Sequence, residues 1–313
     1  MWSRSRQVRN LRALLRDDGW SQSATDAVAE RLAGSQLQTP DRLLALGQAV
    51  YAERRCVSQR RVEASADAWD AWASRVVEMT ADLADGRALA LLRYLAATDL
   101  TGLSRAASLD IAGRSFPSDL ILDDVDLSGD VFLQGARVLG RLSMCRSRIG
   151  GDAYLEQSTF SEGACLDDTK FAKSVQLRRS SFGGPTSFNR VTFAHGVWAR
   201  GASFLEDTTF ESACFLSDAA FGECQFGANV SFQGGKFVDL AGFENARFTG
   251  RADFTKCRFG AVVRFDSAVF GVAPDFGLAS FAKHASFSEV VAPQRENAVH
   301  ARLAQLSRRL SHQ

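Results

Sequence analysis

Large apolar residues recur through residues 116–287 at a spacing that alternates between five and six. From Phe182 to Phe287 nearly every such position is phenylalanine, and Ala199 is the single gap. Further towards the amino terminus the register continues through leucine, isoleucine, valine and methionine. Neither an amphipathic helix nor a plain alternating strand has this period. The pattern therefore predicts a solenoid of short straight edges in which two successive edges form the repeat.

A small residue stands two positions before most of the large ones, as Ala246 does before Phe248. In an extended segment these two side chains point the same way, so both should face inward while the residue between them faces solvent. Cys224 and Cys257 occupy small inward positions and are expected to act as small hydrophobic residues. Glycine often follows the large residue, as at Gly183, which predicts that it supplies the corner conformation.

Units such as Ala241-Gly242-Phe243 and Ala252-Asp253-Phe254 resemble the pentapeptide-repeat family, with a sixth residue in every second unit. The resemblance implies a right-handed quadrilateral β-helix. Four edges per coil give a coil of about 22 residues, and about eight such coils fit the segment. Residues 22 apart should then stack. One outer column alternates in charge as stacked neighbours should: Asp124, Arg146, Asp168 and Arg190.

The sequence pattern predicts an α-helical domain over residues 1–108, the β-helix over residues 109–290 and a C-terminal helix over residues 291–313. The helical domain contains Trp69 and Trp72 at helical spacing, which favours a core between helices over a partner site. Its arginine run at 54–61 is expected to be a solvated face, with phosphate or nucleic-acid binding as the alternative. The C-terminal helix either caps the solenoid or forms a homodimer through its apolar stripe: Val299, Leu303, Leu306 and Leu310.

The composition gives little evidence for a catalytic or metal-binding site. The net charge is +1, the six cysteines show no paired spacing, and no long apolar run predicts a membrane span. The four histidines are scattered, and no phosphate-binding glycine loop, serine elbow or CxxC motif occurs. We therefore expect a cytoplasmic protein that is not an enzyme and has no cofactor, metal or catalytic residue.

The outward positions of one predicted face carry aromatic side chains at Phe132, Tyr154 and Trp198. Aromatic residues are common anchors of interfaces, so this column is the candidate partner surface. Two alternatives stay open: the protein's own amino-terminal helices cover the column, or a bulge beside Ala199 turns Trp198 inward.

These features favour a non-catalytic scaffold or adaptor that presents a rigid surface to an unidentified protein partner. Direct nucleic-acid binding is not favoured. The alternative, implied by the resemblance, is a DNA-mimicking binder of type II topoisomerase that protects gyrase. Residues 116–287 hold 20 acidic and 17 basic side chains, a net charge of −3, whereas a duplex mimic needs a dense acidic stripe.

Overall fold

The computed structural model describes residues 4–33, 40–82 and 86–292. The chain divides into two compact units, of which the first comprises residues 1–101 and 114–121 and the second residues 102–113 and 122–313. The described part of the first unit holds five helices: α1 (Arg4–Asp17), α2 (Gln22–Ala33), α3 (Pro40–Glu63), α4 (Ala66–Asp82) and α5 (Gly86–Ala96). No described helix has both the length and the apolarity that crossing a membrane requires.

The first unit also contains three two-residue strands, Thr98–Asp99, Ser115–Phe116 and Leu120–Ile121, of which the first and last pair in parallel. Trp69 and Trp72 are buried among these elements. The indole nitrogen of Trp69 donates to the carbonyl oxygen of Ser115 at 2.8 Å, and its ring meets that of Phe116 edge-on at 5.0 Å. The two tryptophans are therefore core residues as expected, but Trp69 packs against the strand Ser115–Phe116 and not only between helices.

The arginines of α3 form the solvated face expected from the sequence only in part, since Arg60 is exposed and Arg55 half-buried. Arg54 and Arg61 are buried, and each is paired with an aspartate, Asp99 and Asp18 respectively. Arg61 also donates to the carbonyl oxygen of Ala97 at 3.2 Å. A buried guanidinium is tolerated where carboxylates and carbonyl oxygens satisfy its donors, as they do for Arg61. Nε of Arg54, by contrast, has no hydrogen-bond partner among the described residues. For Arg54 and Arg61 the expectation was wrong, because their partners lie far away in sequence.

The second unit is a parallel β-solenoid with two-residue strands on four faces, and each strand pairs with the strand one coil further along, as Arg148 does with Lys170. Face 1 contains Leu142–Ser143, Ala164–Cys165, Thr186–Ser187, Thr208–Thr209, Val230–Ser231 and Ala252–Asp253. Face 2 contains Ser104–Arg105, Asp126–Leu127, Arg148–Ile149, Lys170–Phe171, Thr192–Phe193, Cys214–Phe215, Lys236–Phe237, Arg258–Phe259 and Ser280–Phe281.

The other two faces complete each coil. Face 3 contains Leu109–Asp110, Val131–Phe132, Ala153–Tyr154, Val175–Gln176, Val197–Trp198, Ala219–Ala220, Ala241–Gly242, Val263–Arg264 and Ala285–Ser286. Face 4 contains Arg137–Val138, Thr159–Phe160, Ser181–Phe182, Ser203–Phe204, Gln225–Phe226, Arg247–Phe248 and Val269–Phe270.

The predicted coil length is confirmed by the strand register, in which Ala153 pairs with Val175 and Tyr154 with Gln176. Faces 2 and 3 show about nine coils where about eight were expected. The additional coil precedes the phenylalanine-rich segment. In this coil Arg105 stands at the position that a large apolar residue takes in later coils. The apolar pattern is interrupted there, so the sequence did not reveal this coil.

The core of the solenoid consists of stacked inward side chains. Phe204 stacks on Phe182 at 4.9 Å and on Phe226 at 5.2 Å between ring centroids. Phe243 stacks on Phe221 at 5.3 Å and on Phe265 at 4.9 Å. These rings are fully buried. Because each phenylalanine removes about 150–250 Å² from water, the column supplies a large apolar contribution without any ligand.

The corner conformation lies one residue later than the sequence analysis placed it. Positive φ angles occur two residues after the inward phenylalanine or leucine, and non-glycine side chains hold most of these positions, as Asn245 does with φ 57°. Gly183, which directly follows Phe182, has a different role. A Cβ there would meet the carbonyl oxygen of Ser161 on the preceding coil at 2.4 Å, so this glycine permits close approach of the two coils.

Candidate interaction surface

The three aromatic residues predicted as a partner surface lie in one column on face 3. Tyr154 is the register partner of Phe132 on one side and of Gln176 on the other, and Gln176 in turn pairs with Trp198. All four side chains point outward and are half-buried. The rings of Phe132 and Tyr154 are parallel, with their centroids 5.1 Å apart. The structure thus brings the predicted residues together as a continuous outward column, which we call the aromatic column (Phe132, Tyr154, Gln176 and Trp198).

Trp198 points outward because the strand pairing continues without a bulge on both sides of it. Gln176 precedes it and Ala220 follows it in the ladder, while Ala199 points into the core and is fully buried. The indole lies across Gly196, where a Cβ would meet the ring at 2.9 Å. The alternative of a bulge that turns Trp198 inward is therefore wrong. The missing side chain at Gly196 provides the room for the ring on the surface.

The two ends of the aromatic column have opposite electrostatic surroundings. Partial burial, reinforced by the carboxylates of Asp152, Asp130 and Glu156, raises the pKa of Tyr154 above its ordinary value. Its hydroxyl is therefore protonated at neutral pH and can donate a hydrogen bond. At the other end, the guanidinium carbon of Arg178 lies 5.8 Å from the centroid of the Trp198 ring.

Three polar side chains beside the column have an oxygen atom that is buried and lacks a hydrogen-bond partner among the described residues: Gln134 Oε1, Glu156 Oε2 and Gln176 Oε1. An unpaired buried acceptor costs about 1–3 kcal/mol. Sequence reasoning missed Gln134 and Glu156, although a signal was available, because each stands two residues after a member of the column. Unpaired acceptors next to outward, half-buried rings are suited to receive N–H or O–H donors from a docking protein.

A cavity of about 390 Å³ lies in the first unit. Its wall includes Trp69 and Trp72 together with charged groups that already pair with one another. Arg75 binds Asp17 at 2.7 Å, and Arg61 donates through Nε to Asp18 at 2.8 Å.

Among the described residues no group of three or more histidine, cysteine, aspartate or glutamate side chains is placed to hold a metal ion.

The cysteines of the solenoid fall into two groups. Cys224 and Cys257 are fully buried at small inward positions, as predicted, and each thiol donates to a carbonyl oxygen of the preceding coil at 3.0 Å. Burial raises the pKa of each of these thiols to about 12, so neither is reactive at neutral pH. By contrast, the sulfur atoms of Cys145 and Cys165 lie within bonding distance, a pairing that the sequence analysis did not expect.

The apolar stripe of the predicted C-terminal helix, Val299, Leu303, Leu306 and Leu310, falls outside the described residues. Whether it caps the solenoid or forms a homodimer therefore stays a prediction.

Two segments of the solenoid match a known protein family. The family model described as pentapeptide repeats (9 copies) matches residues 166–213 and 243–291. These two segments of the solenoid therefore consist of pentapeptide repeats. No curated protein and no solved structure matches the chain. Pentapeptide-repeat solenoids are typically non-enzymatic, and proteins of the family generally serve as scaffolds or in protein interactions.

Proposed function

We propose that this protein is a non-catalytic scaffold that binds a protein partner through the aromatic column of face 3. The observation that supports this most strongly is the outward, half-buried stack of Phe132 and Tyr154, followed two coils later by Trp198. Aromatic side chains that keep part of their surface in water gain by burial against a partner, and they are enriched among the residues that dominate binding energy.

The surroundings of the column define the chemistry of the partner. The partner inserts apolar side chains between the rings and supplies N–H donors to the unpaired oxygens of Gln134, Glu156 and Gln176. Near Tyr154 it carries a basic group, opposite Asp130 and Asp152. Near Trp198 it carries an acidic group, opposite Arg178.

Photo-crosslinking in the native cell tests this proposal. A photoreactive residue at position 154 or 198 is expected to capture the same protein, whereas positions 159 and 225 on face 4 provide matched outward controls. Tyr154→Ala and Trp198→Ala in the purified full chain should leave thermal stability nearly unchanged and abolish binding of the captured protein. A large loss of stability would instead mean that the column packs internally, and equal capture from face 4 would refute a specific site.

The duplex-mimic alternative remains a prediction and has less support. On the outer columns several acids pair with an arginine one coil away, as Asp124 does with Arg146 at 2.8 Å and Asp168 with Arg190 at 2.7 Å. Such pairs cancel charge that a duplex mimic needs to keep unpaired. A supercoiling assay with gyrase tests this alternative directly, and we expect no protection of the enzyme.

A further inference from the structure

Face 2 carries a column of cations that the aromatic column and the proposed scaffold role do not explain. At its outward positions Arg148 and Lys170 are register partners, and so are Lys236 and Arg258. All four side chains are exposed. Thr192 and Cys214 separate the two pairs. The four cations therefore lie in one column of the ladder, with adjacent strands about 4.8 Å apart. We call it the basic column (Arg148, Lys170, Lys236 and Arg258).

The fold itself does not use these charges. None of the four side chains makes an ion pair or a hydrogen bond within the part of the chain that the structure describes. Asp126 precedes Arg148 in the ladder without forming an ion pair with it, and Asp239 stands at the corner after Lys236. Like charges on directly neighbouring strands destabilise a sheet. Two such pairs on one face therefore cost stability, and an external anion would turn that cost into binding energy.

The residues beside the basic column are apolar. They follow the inward residues of face 2 and continue the ladder, since the N–H of Ala194 donates to Phe171 O at 2.9 Å and that of Leu216 to Phe193 O at 2.9 Å. The Leu216 side chain is 41% exposed. Over six successive coils this second column contains small or apolar residues alone: Gly150, Ala172, Ala194, Leu216, Val238 and Gly260.

We propose that face 2 docks on a membrane surface rich in anionic lipids. The basic column complements the lipid phosphates, and Leu216 enters the interface between headgroups and acyl chains. Nucleic acid is less suited to this face. The outward positions of its strands hold no aromatic ring for stacking on bases and no amide for reading them: Ser104, Asp126, Arg148, Lys170, Thr192, Cys214, Lys236, Arg258 and Ser280.

Co-sedimentation of the full chain with vesicles tests the proposal. The probes are vesicles of phosphatidylcholine alone and of phosphatidylcholine with about one third phosphatidylglycerol. We expect binding to the anionic vesicles only, and weaker binding as salt rises from about 0.1 M to about 0.5 M. Each basic residue near an anionic surface contributes about fivefold to binding, so Lys170→Gln with Lys236→Gln should weaken it about 25-fold.

Matched controls come from face 4. Arg137→Gln with Arg247→Gln removes the same charge from exposed outward positions and should leave binding within about twofold. Leu216→Ser should weaken binding by a smaller factor than the face 2 charge variant does. Leu205→Ser, at an exposed site on face 4, should leave binding unchanged. Thermal unfolding of every variant checks the fold.

Three outcomes would overturn the proposal: no binding of the wild-type chain to anionic vesicles, equal losses for the face 2 and face 4 variants, or binding to a duplex oligonucleotide but not to the vesicles.

Discussion

The two units of this protein achieve stability in opposite ways. In the solenoid each coil repeats the contacts of the one before, so that Phe210 stacks between Phe188 at 4.6 Å and Phe232 at 4.7 Å. In the helical unit individual polar contacts hold distant elements together, and the buried ion pairs of Arg61 with Asp18 and Arg54 with Asp99 follow no sequence repeat. A repeated core spreads its stability over many similar interfaces, whereas a unique network concentrates it in a few groups.

Arg61→Ala is the sharpest test of that difference. The substitution leaves the buried carboxylate of Asp18 with the indole N–H of Trp20 as its remaining side-chain donor, and it takes one donor from the carbonyl oxygens of Leu95 and Ala97. It also removes the guanidinium that lies 4.1 Å from the Trp72 ring. Breaking a buried ion pair in this way is expected to cost about 3–5 kcal/mol in the free energy of unfolding of the helical unit. Denaturant unfolding followed by tryptophan fluorescence measures it.

The matched control is Arg190→Ala, which breaks an exposed ion pair on the solenoid. It should leave the unfolding midpoint unchanged within error, because water replaces the lost contact. If both variants lose the same stability, the contrast between a unique polar network and a repetitive core is wrong.

Leu155→Phe tests the repetitive core at its aliphatic half. Leu155 is fully buried in the column that later contains Phe221 and Phe243. A ring placed there has no aromatic neighbour one coil away and overfills a core built for leucine, so we expect a loss of about 1–3 kcal/mol. Leu155→Met conserves volume and should lose less than about 1.5 kcal/mol. Thermal unfolding of the two full-length variants measures the difference. If Leu155→Phe were as stable as the wild-type chain, phenylalanine and leucine would be interchangeable along the column.

The same contrast explains what the sequence revealed. In the solenoid, adding 22 to a residue number predicts its neighbour, and this rule correctly predicts that Phe132, Tyr154 and Trp198 share one column. The partners of Arg54 and Arg61 follow no period, so their burial was not predictable. The unpaired oxygen of Glu156 also escaped prediction, because hydrogen-bond satisfaction depends on rotamers that spacing does not determine.

The smallest effect concerns the charged corners of the solenoid, where Arg190 donates to both carboxylate oxygens of Asp168 at 2.7 Å. These hydrogen bonds hold the pKa of Asp168 below its ordinary value, while partial desolvation opposes them. Because the folded pKa is the lower one, the contribution to stability is present above the unfolded pKa of about 3.9 and is lost as pH falls through the folded pKa.

In Arg190→Gln the pKa of Asp168 should therefore move up, towards its ordinary value, in a carboxyl titration followed by NMR. The pKa of Asp124, which keeps its own bonds to Arg146, should remain low and serves as the internal control. Both pairs are exposed, so salt screens them and the change in stability is small. The shift nevertheless reports the fold, since Asp168 and Arg190 meet only if they lie at equivalent corners of adjacent coils. An unchanged pKa of Asp168 in Arg190→Gln would contradict that register at the surface of the solenoid.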